Sequence, residues 1–225
     1  MPNLIAHNMS TTAAGTTGRT LDYAAPLYDW LAPLMVFGFE QRCARHVIER
    51  LGIAANHRVL DVGCGTGSLT RKIATHLDDA QGGAVIGVDA AERMLDVARR
   101  KAPPNSPMRF KAALAENLPY PDANFERAVS TFFFHHIEFS LKQKALHEMW
   151  RTLVPGGKAV VVDVDIPTTL IGRTSAWAGY WIFRQEEIRE NIEGRLRDAF
   201  EASPFQSWRQ LSHHSGYISL FELQR

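Results

Sequence analysis

Cysteine is scarce, long apolar runs are absent and neither sign of charge prevails, and each shortage removes a class of protein. Cys43 and Cys64 are the two cysteines among 225 residues. They are too few for a disulfide framework and lack metal-ligand spacing, so free thiols in a reducing compartment and no metal site are expected. No stretch approaches the roughly eighteen apolar residues that cross a bilayer, and the first residues lack the charged and apolar regions of a secretion signal. A cytoplasmic location without a transmembrane segment is the expectation. Lys and Arg total 25 against 24 Asp and Glu, so the whole surface holds no field that would gather phosphate backbones, and no nucleic-acid partner is expected. Acid is also missing from residues 1–20, which are rich in Ser, Thr, Ala and Gly and show no period. Such a stretch cannot bury enough to order itself, and reads as a flexible tail or a lid that orders on binding.

What is present is an ordinary folding composition, 45% hydrophobic and 22% charged, in a chain long enough for one decorated domain over residues 21–225. Residues 21–52 bring Tyr23, Tyr28, Trp30, Phe37 and Phe39 and then an amphipathic helical pattern with Val47, Ile48 and Leu51 on one side, a helical cap to the domain. Short β-branched runs follow at Arg58–Val62, Ala84–Asp89, Met108–Ala112, Ala128–Thr131 and Lys158–Asp163. Helical patterns lie between them over Gly67–His76, Glu92–Lys101 and Glu138–Leu153, the last closed by Pro155-Gly156-Gly157 as breaker and turn. This alternation predicts a doubly wound α/β sheet, mainly parallel, with helices on both faces. A helical insertion is expected over about 168–202, with Thr174–Phe200 as one or two helices. Phe205–Leu211 and Tyr217–Leu223 then form a closing antiparallel pair around a His213-His214-Ser215-Gly216 turn.

The chemistry gathers at Val59-Leu60-Asp61-Val62-Gly63-Cys64-Gly65-Thr66-Gly67, a buried strand running into a glycine turn that opens a helix. Glycines let backbone approach a ligand closely and adopt positive φ, and the helix start offers N–H groups. Asp89 closes the next strand, where an acid can accept hydrogen bonds from ribose hydroxyls. A dinucleotide fingerprint starting at Gly63 would place its third glycine at position 68. Ser68 stands there and the glycine falls one place earlier, which disfavours a pyrophosphate and with it a nicotinamide-dependent reductase.

The glycine spacing, with Asp61 two residues ahead of Gly63, resembles the first motif of class I S-adenosylmethionine-dependent methyltransferases. The likeness continues through Val88-Asp89-Ala90-Ala91-Glu92-Arg93-Met94-Leu95, Ala115-Glu116-Asn117-Leu118-Pro119-Tyr120-Pro121-Asp122 with Phe125, and Leu153-Val154-Pro155-Gly156-Gly157. In order and spacing these are similar to the successive motifs of the ubiquinone/menaquinone-type branch, over roughly half the chain. The resemblance implies a Rossmann-like sheet and S-adenosyl-L-methionine as cofactor, with S-adenosyl-L-homocysteine as product. It implies that Gly63, Gly65 and Gly67 line the methionine and ribose portion, that Asp61 orients the loop or the cofactor's amino group, and that Asp89 binds the ribose diol. Ala90 and Met94 would pack on adenine, Ala115 would meet its edge with backbone groups, and Thr131 would face the sulfonium. Two positions depart from the pattern. Leu114 stands where an acid commonly accepts from the adenine amine, leaving stacking, backbone contacts or Glu116 to serve, and Phe125-Glu126 replaces Phe-Asp.

Methyl transfer needs alignment and exclusion of water more than a dedicated catalyst. Should the acceptor lose a proton, His135 and His136, directly after the fourth strand, are the candidate bases, His135 before His136. Each could instead cap a helix or pack. Asp163 and Asp165 either bind the acceptor or begin a solvated loop. Tyr28 either folds over the cofactor or packs in the helical cap. Trp177, Tyr180, Trp181 and Phe183 either roof an apolar acceptor pocket or form the core of their own helical flap. Cys64 reads as a small side chain packed beneath the cofactor. The acceptor is a small, partly apolar molecule: a quinone precursor, another aromatic metabolite or a lipid headgroup. A non-catalytic domain of the same fold is the alternative, and oligomeric state is not legible.

Overall fold

Parallel strands buried on both faces must be apolar at almost every position, and β1 (Arg58–Val62), buried throughout except at Arg58, satisfies this. The computed structural model describes residues 39–225, with side chains from Cys43 onward; the tail, Tyr28 and the rest of the aromatic opening lie outside the described residues. The other strands are β2 (Ala84–Asp89), β3 (Met108–Ala112), β4 (Phe125–Thr131), β5 (Leu153–Val164), β6 (Ser207–His214) and β7 (Ile218–Gln224). They form one sheet in the order β3-β2-β1-β4-β5-β7-β6. The first five are parallel, while β7 is antiparallel to both β5 and β6.

Successive residues along each central strand face opposite layers. Val59, Val85, Val129, Val160 and Leu220 join one core with Val47 and Leu51 of α1 (Phe39–Leu51) and Ile73 of α2 (Ser68–Ala74). Leu60, Ile86, Ala128, Val161 and Phe221 join the other, with Leu146 and Met149 of α4 (Phe139–Thr152) and Leu196 and Phe200 of α7 (Arg195–Glu201). Helix α3 (Glu92–Lys101) crosses between β2 and β3. Strand order reverses between β1 and β4, the point at which open α/β sheets leave a crevice beyond the strands' carboxyl ends.

The structure corrects several expected boundaries. Strand β4 starts three residues earlier, because Phe125 is fully buried and pairs with Leu153. Pro155-Gly156-Gly157 does not end the helix and turn freely, since β5 runs through it. The ladder with β4 shifts register there, and Gly157 accepts from Arg225 N at 3.0 Å, so cross-strand pairing overrides the local breaker. The insertion contains three helices rather than one or two: α5 (Leu170–Phe183), α6 (Glu186–Ile192) and α7. Breaks fall at Arg184 and Gly194, both at positive φ. His213 and His214 are strand residues, not turn residues. Ser215 and Gly216, with φ of 51° and 73°, make the turn, so β6 extends up to it.

That turn lies against the start of α5. A Cβ at Gly172 would lie 2.3 Å from the Gly216 carbonyl oxygen, whereas one at Gly179 in the same helix would meet nothing within 4 Å. Gly172→Ala should therefore lower unfolding free energy by about 1–3 kcal/mol. Gly179→Ala should raise it by about 0.5–1 kcal/mol through helix propensity. Denaturant titration of the two variants checks this, and equal effects would contradict the packing described.

Candidate active site

At the carboxyl end of β1 the chain turns under backbone control from β2. Gly63 N and Cys64 N both donate to Val88 O, at 2.9 and 3.0 Å. Gly63, Gly65 and Gly67 all have positive φ. A Cβ at Gly63 would lie 2.5 Å from the Phe133 ring, so glycine is required there by both conformation and space. Asp89 completes the joint: its Oδ2 accepts from Gly65 N and its Oδ1 from Ala91 N, each at 2.8 Å. The carboxylate thus holds the glycine turn at a set distance from the end of β2.

Above this joint opens a cleft lined by Val62, Gly63, Val88, Asp89, Ala90, Ala113, Ala115, Glu116, Phe133 and Ile137. Five sequence-derived candidates, Gly63, Asp89, Ala90, Ala115 and Glu116, therefore meet on one wall. Gly65 and Gly67 lie in the adjoining turn. Met94 is not in that lining and packs with Ala91 in a small buried cluster, while Thr131 ends β4 half-buried. Val62, Val88, Ala113, Phe133 and Ile137 were missed as lining residues; for Phe133 and Ile137 the available signal was their place just beyond β4 at the switch point. Leu114 forms a bridge with Asn117 instead of offering a carboxylate, and Glu116 joins Asp89 as a second acid on the cleft wall.

Asp61 lies beneath the loop, 1% exposed, and accepts from Thr70 Oγ1 at 2.6 Å through Oδ2. Its Oδ1 has no hydrogen-bond partner among the described residues. Burial raises its pKa to about 7, the Thr70 hydrogen bond opposing and the Asp89 charge adding to the rise. An unsatisfied buried acceptor beside a glycine cradle suits a ligand that brings an amino group. These features fit S-adenosylmethionine: Gly63, Gly65 and Asp89 would hold its ribose and amino-acid portions and Asp61 its amino group. Cys64 packs over Gly87, where a Cβ would lie 2.8 Å from its Sγ. Burial first, then the charges of Asp89 and Asp61, push its thiol well above the usual range, so it serves as packing and not as a nucleophile.

The second constellation lies where β4 and β5 end. His135 sits in a single turn of 3₁₀ helix, Phe134–His136, between the cleft residues Phe133 and Ile137. Its Nδ1 is 2.7 Å from Asp163 Oδ1. Asp163 is fully buried and also accepts from Phe134 N and Val164 N at 2.7 Å each, with Asn191 Nδ2 at 3.4 Å. Burial alone would raise this carboxyl, but His135 and the backbone donors hold it below the usual range. Asp163 is therefore a carboxylate and His135 Nδ1 donates to it, so that in the neutral ring the lone pair falls on Nε2. The His136 ring lies 4.0 Å from that of His135 and bonds Gln185 Oε1 through Nδ1 at 3.2 Å.

Neither aspartate begins a solvated loop, which corrects that expectation. Asp165 is also fully buried, bound by Arg197 through Nε and Nη2 at 2.8 and 2.6 Å and by Ser219 Oγ. A residue the sequence did not single out, Lys142, is buried nearby and donates to Ile137 O and Glu190 Oε2 at 2.6 and 2.7 Å. Its position one helical turn into α4 gave no motif signal. Of the insertion's aromatics, Trp177 and Tyr180 pack on Ala176, Ile188 and Ile192, while Trp181 is 64% exposed.

Comparison with known proteins agrees with this geometry. Residues 59–157 match the family described as Methyltransferase domain. This stretch is similar to that family, and the strand order and glycine loop are those that the resemblance to class I S-adenosylmethionine-dependent methyltransferases implies. Demethylmenaquinone methyltransferase of Thermus thermophilus is 38% identical over 144 residues, covering 64% of this chain and 63% of that protein. A ubiquinone/menaquinone biosynthesis C-methyltransferase of Pectobacterium atrosepticum is 36% identical over 146 residues, 64% and 57% of the two chains. The chain thus spans about three fifths of the length of these curated relatives. A SAM-dependent methyltransferase from Aquifex aeolicus shares the fold, with a TM-score of 0.62 at 18% identity over 92% of this chain and 99% of that one.

Asp61 generates a pH prediction. Its folded pKa is about 7 against 3.8 for a free aspartate, so between those values the folded chain binds the extra proton. Its contribution to stability falls as pH rises through that window and levels off above about 7. From pH 5 to 8 the wild type should lose about 2 kcal/mol more unfolding free energy than Asp61→Asn. Parallel losses in denaturant titrations would contradict the assignment.

Proposed function

We propose that the chain transfers a methyl group from S-adenosylmethionine to a small, partly apolar acceptor of the quinone-precursor class, releasing S-adenosylhomocysteine. The carrying observation is the Asp89 carboxylate tied to Gly65 N and Ala91 N on the wall of the cleft. It places an acid and a glycine cradle together at the switch point, where a nucleoside cofactor binds in such sheets. The quinone class is supported by the two curated relatives, whose names describe methylation in menaquinone and ubiquinone synthesis. A nicotinamide-dependent reductase is disfavoured by the loop, since Gly67 caps α2 and Ser68 is already its first residue.

When bound, the cofactor supplies an electrophilic methyl group whose sulfur leaves with the bonding electrons, so the protein need not protonate a leaving group. The protein's tasks are alignment, exclusion of water and removal of the proton displaced from the acceptor. His135 Nε2 takes that proton. Asp163 holds the ring in the tautomer that leaves Nε2 bare and balances the imidazolium charge, while Phe134 N and Val164 N keep Asp163 from turning away. The His135 side chain is 13% exposed, enough to be reached while its partner stays dry. Glu116, on the cleft wall, takes the role of adenine-side acid that Leu114 cannot fill.

Calorimetric titration with S-adenosylmethionine and S-adenosylhomocysteine tests the cofactor reading. Saturable binding is expected, weakened in Asp89→Ala; absence of binding by a folded wild type would favour a non-catalytic domain. With a hydroxylated naphthoquinol or benzoquinol acceptor, His135→Gln should lower kcat by about 10²–10⁴-fold at unchanged S-adenosylhomocysteine affinity. Asp163→Asn should also lower kcat and move the acid limb of the pH–rate profile. Full activity in both variants would remove His135 from the mechanism.

A further inference from the structure

Helix α5 leaves the same edge of the sheet as the active site, five residues after the buried Asp165. One side of it packs inward through Gly172 and Ala176, toward Ile188 and Ile192. A surface helix ordinarily turns charge outward on its opposite side. Here Leu170 is 82% exposed, Ile171 78%, Trp181 64% and Ile182 73%. At about 100° per residue these four, with exposed Thr174 and Ala178, fall within a stripe about 120° wide that contains no charged residue. Ile166 and Phe183 are also exposed but lie outside this stripe. Isolated exposed apolar residues are common, but a continuous stripe of this kind marks a binding surface.

The flanking charge is of one sign. From Ile166 to Gln185 there is no acid, and Arg173 and Arg184 are the two charged residues. The first acid beyond, Glu186, is engaged by Tyr180 Oη at 2.9 Å and Arg189 Nε at 3.1 Å. Trp177, Tyr180 and Trp181 stack edge-on along the helix, with ring centroids 5.7 and 5.2 Å apart. An apolar stripe that includes the exposed Trp181 indole, flanked by Arg173 and Arg184 and by no acid, has the components of a segment that lies in the plane of a bilayer interface. A second copy of the chain is a poorer occupant. A 14-residue helix is about 21 Å long, and pairing with its twin falls well short of the roughly 1,200 Å² that stable interfaces bury.

We propose that the outer face of α5 docks the protein on an anionic lipid bilayer, from which an acceptor with an apolar tail is drawn into the cleft. The proposal rests on the acceptor reading above for its purpose, but binding to vesicles requires neither cofactor nor turnover.

The full-length chain should float with vesicles of phosphatidylglycerol and phosphatidylcholine and bind pure phosphatidylcholine less tightly. Leu170→Glu combined with Ile182→Glu should weaken vesicle binding at least about tenfold. Both positions are largely exposed, so the thermal midpoint and S-adenosylhomocysteine affinity should remain those of the wild type. Spin-labelled lipid should quench tryptophan emission, and Trp181→Phe should remove most of that quenching. Failure to float, or flotation unchanged in the double variant, would overturn the proposal while leaving the methyl-transfer reading intact. A dimer in light scattering that the double variant dissolves would assign the face to a second copy. Shielding of Trp181 from acrylamide in the free monomer would assign it to another part of the chain. Either result would equally overturn the proposal.

Discussion

Every feature of the candidate site depends on the joint between the ends of β1 and β2. Val88 O accepts two successive N–H groups from the glycine turn, and the Asp89 carboxylate on the next residue accepts one more from that turn and one from the start of α3. Three hydrogen bonds to two adjacent residues fix a loop that has almost no side chains with which to fix itself, and a fourth ties the start of α3 to the same carboxylate. The positive φ of Gly63, Gly65 and Gly67 shapes the turn that presents these donors, and the Phe133 ring seated against Gly63 closes the turn from the β4 side. Loop and cleft wall are consequently held together as one unit.

A different solution holds the ends of β4 and β5. There the chain buries Asp163, Asp165, Lys142 and Asn191 together, at a desolvation cost that only dense pairing can offset. Asp163 is met by His135 and backbone donors, Asp165 by Arg197 and Ser219, and Lys142 by Glu190. The partners come from the 3₁₀ turn after β4, α6, α7 and β7, so the polar cluster ties the insertion to the sheet. Rigidity imposed on His135 and attachment of the flap that carries the exposed α5 face thus share the same carboxylates.

The legible parts were those in which one short segment carries its own physics. The β-branched runs and the glycine turn needed no partner to be recognised, and β1, β2, β3 and α3 stand where their periodicity put them. Gly63 and Asp89 were legible as a turn and the acid at the end of the next strand, because the backbone freedom of glycine marks the one and the strand's end the other. Errors arose where a distant strand decided the outcome. Pro155-Gly156-Gly157 breaks a helix locally, yet pairing with the neighbouring strands carries β5 through it. His213 and His214 look like turn residues until Ser219 and Ile218 on β7 pair with them.

Sequence by itself determined the class of fold, the position and spacing of the cradle and the identity of its anchoring acid, because these follow from periodicity and from backbone freedom at named glycines. Tertiary structure alone decided which acids are charged and which side chains are reachable. Asp163 and Asp165 could not be told from solvated loop residues, Lys142 could not be suspected at all, and nothing in the pattern of α5 separated its packed face from its bare one. Burial is a property of what arrives from elsewhere in the chain, and it sets pKa, tautomer and exposure together.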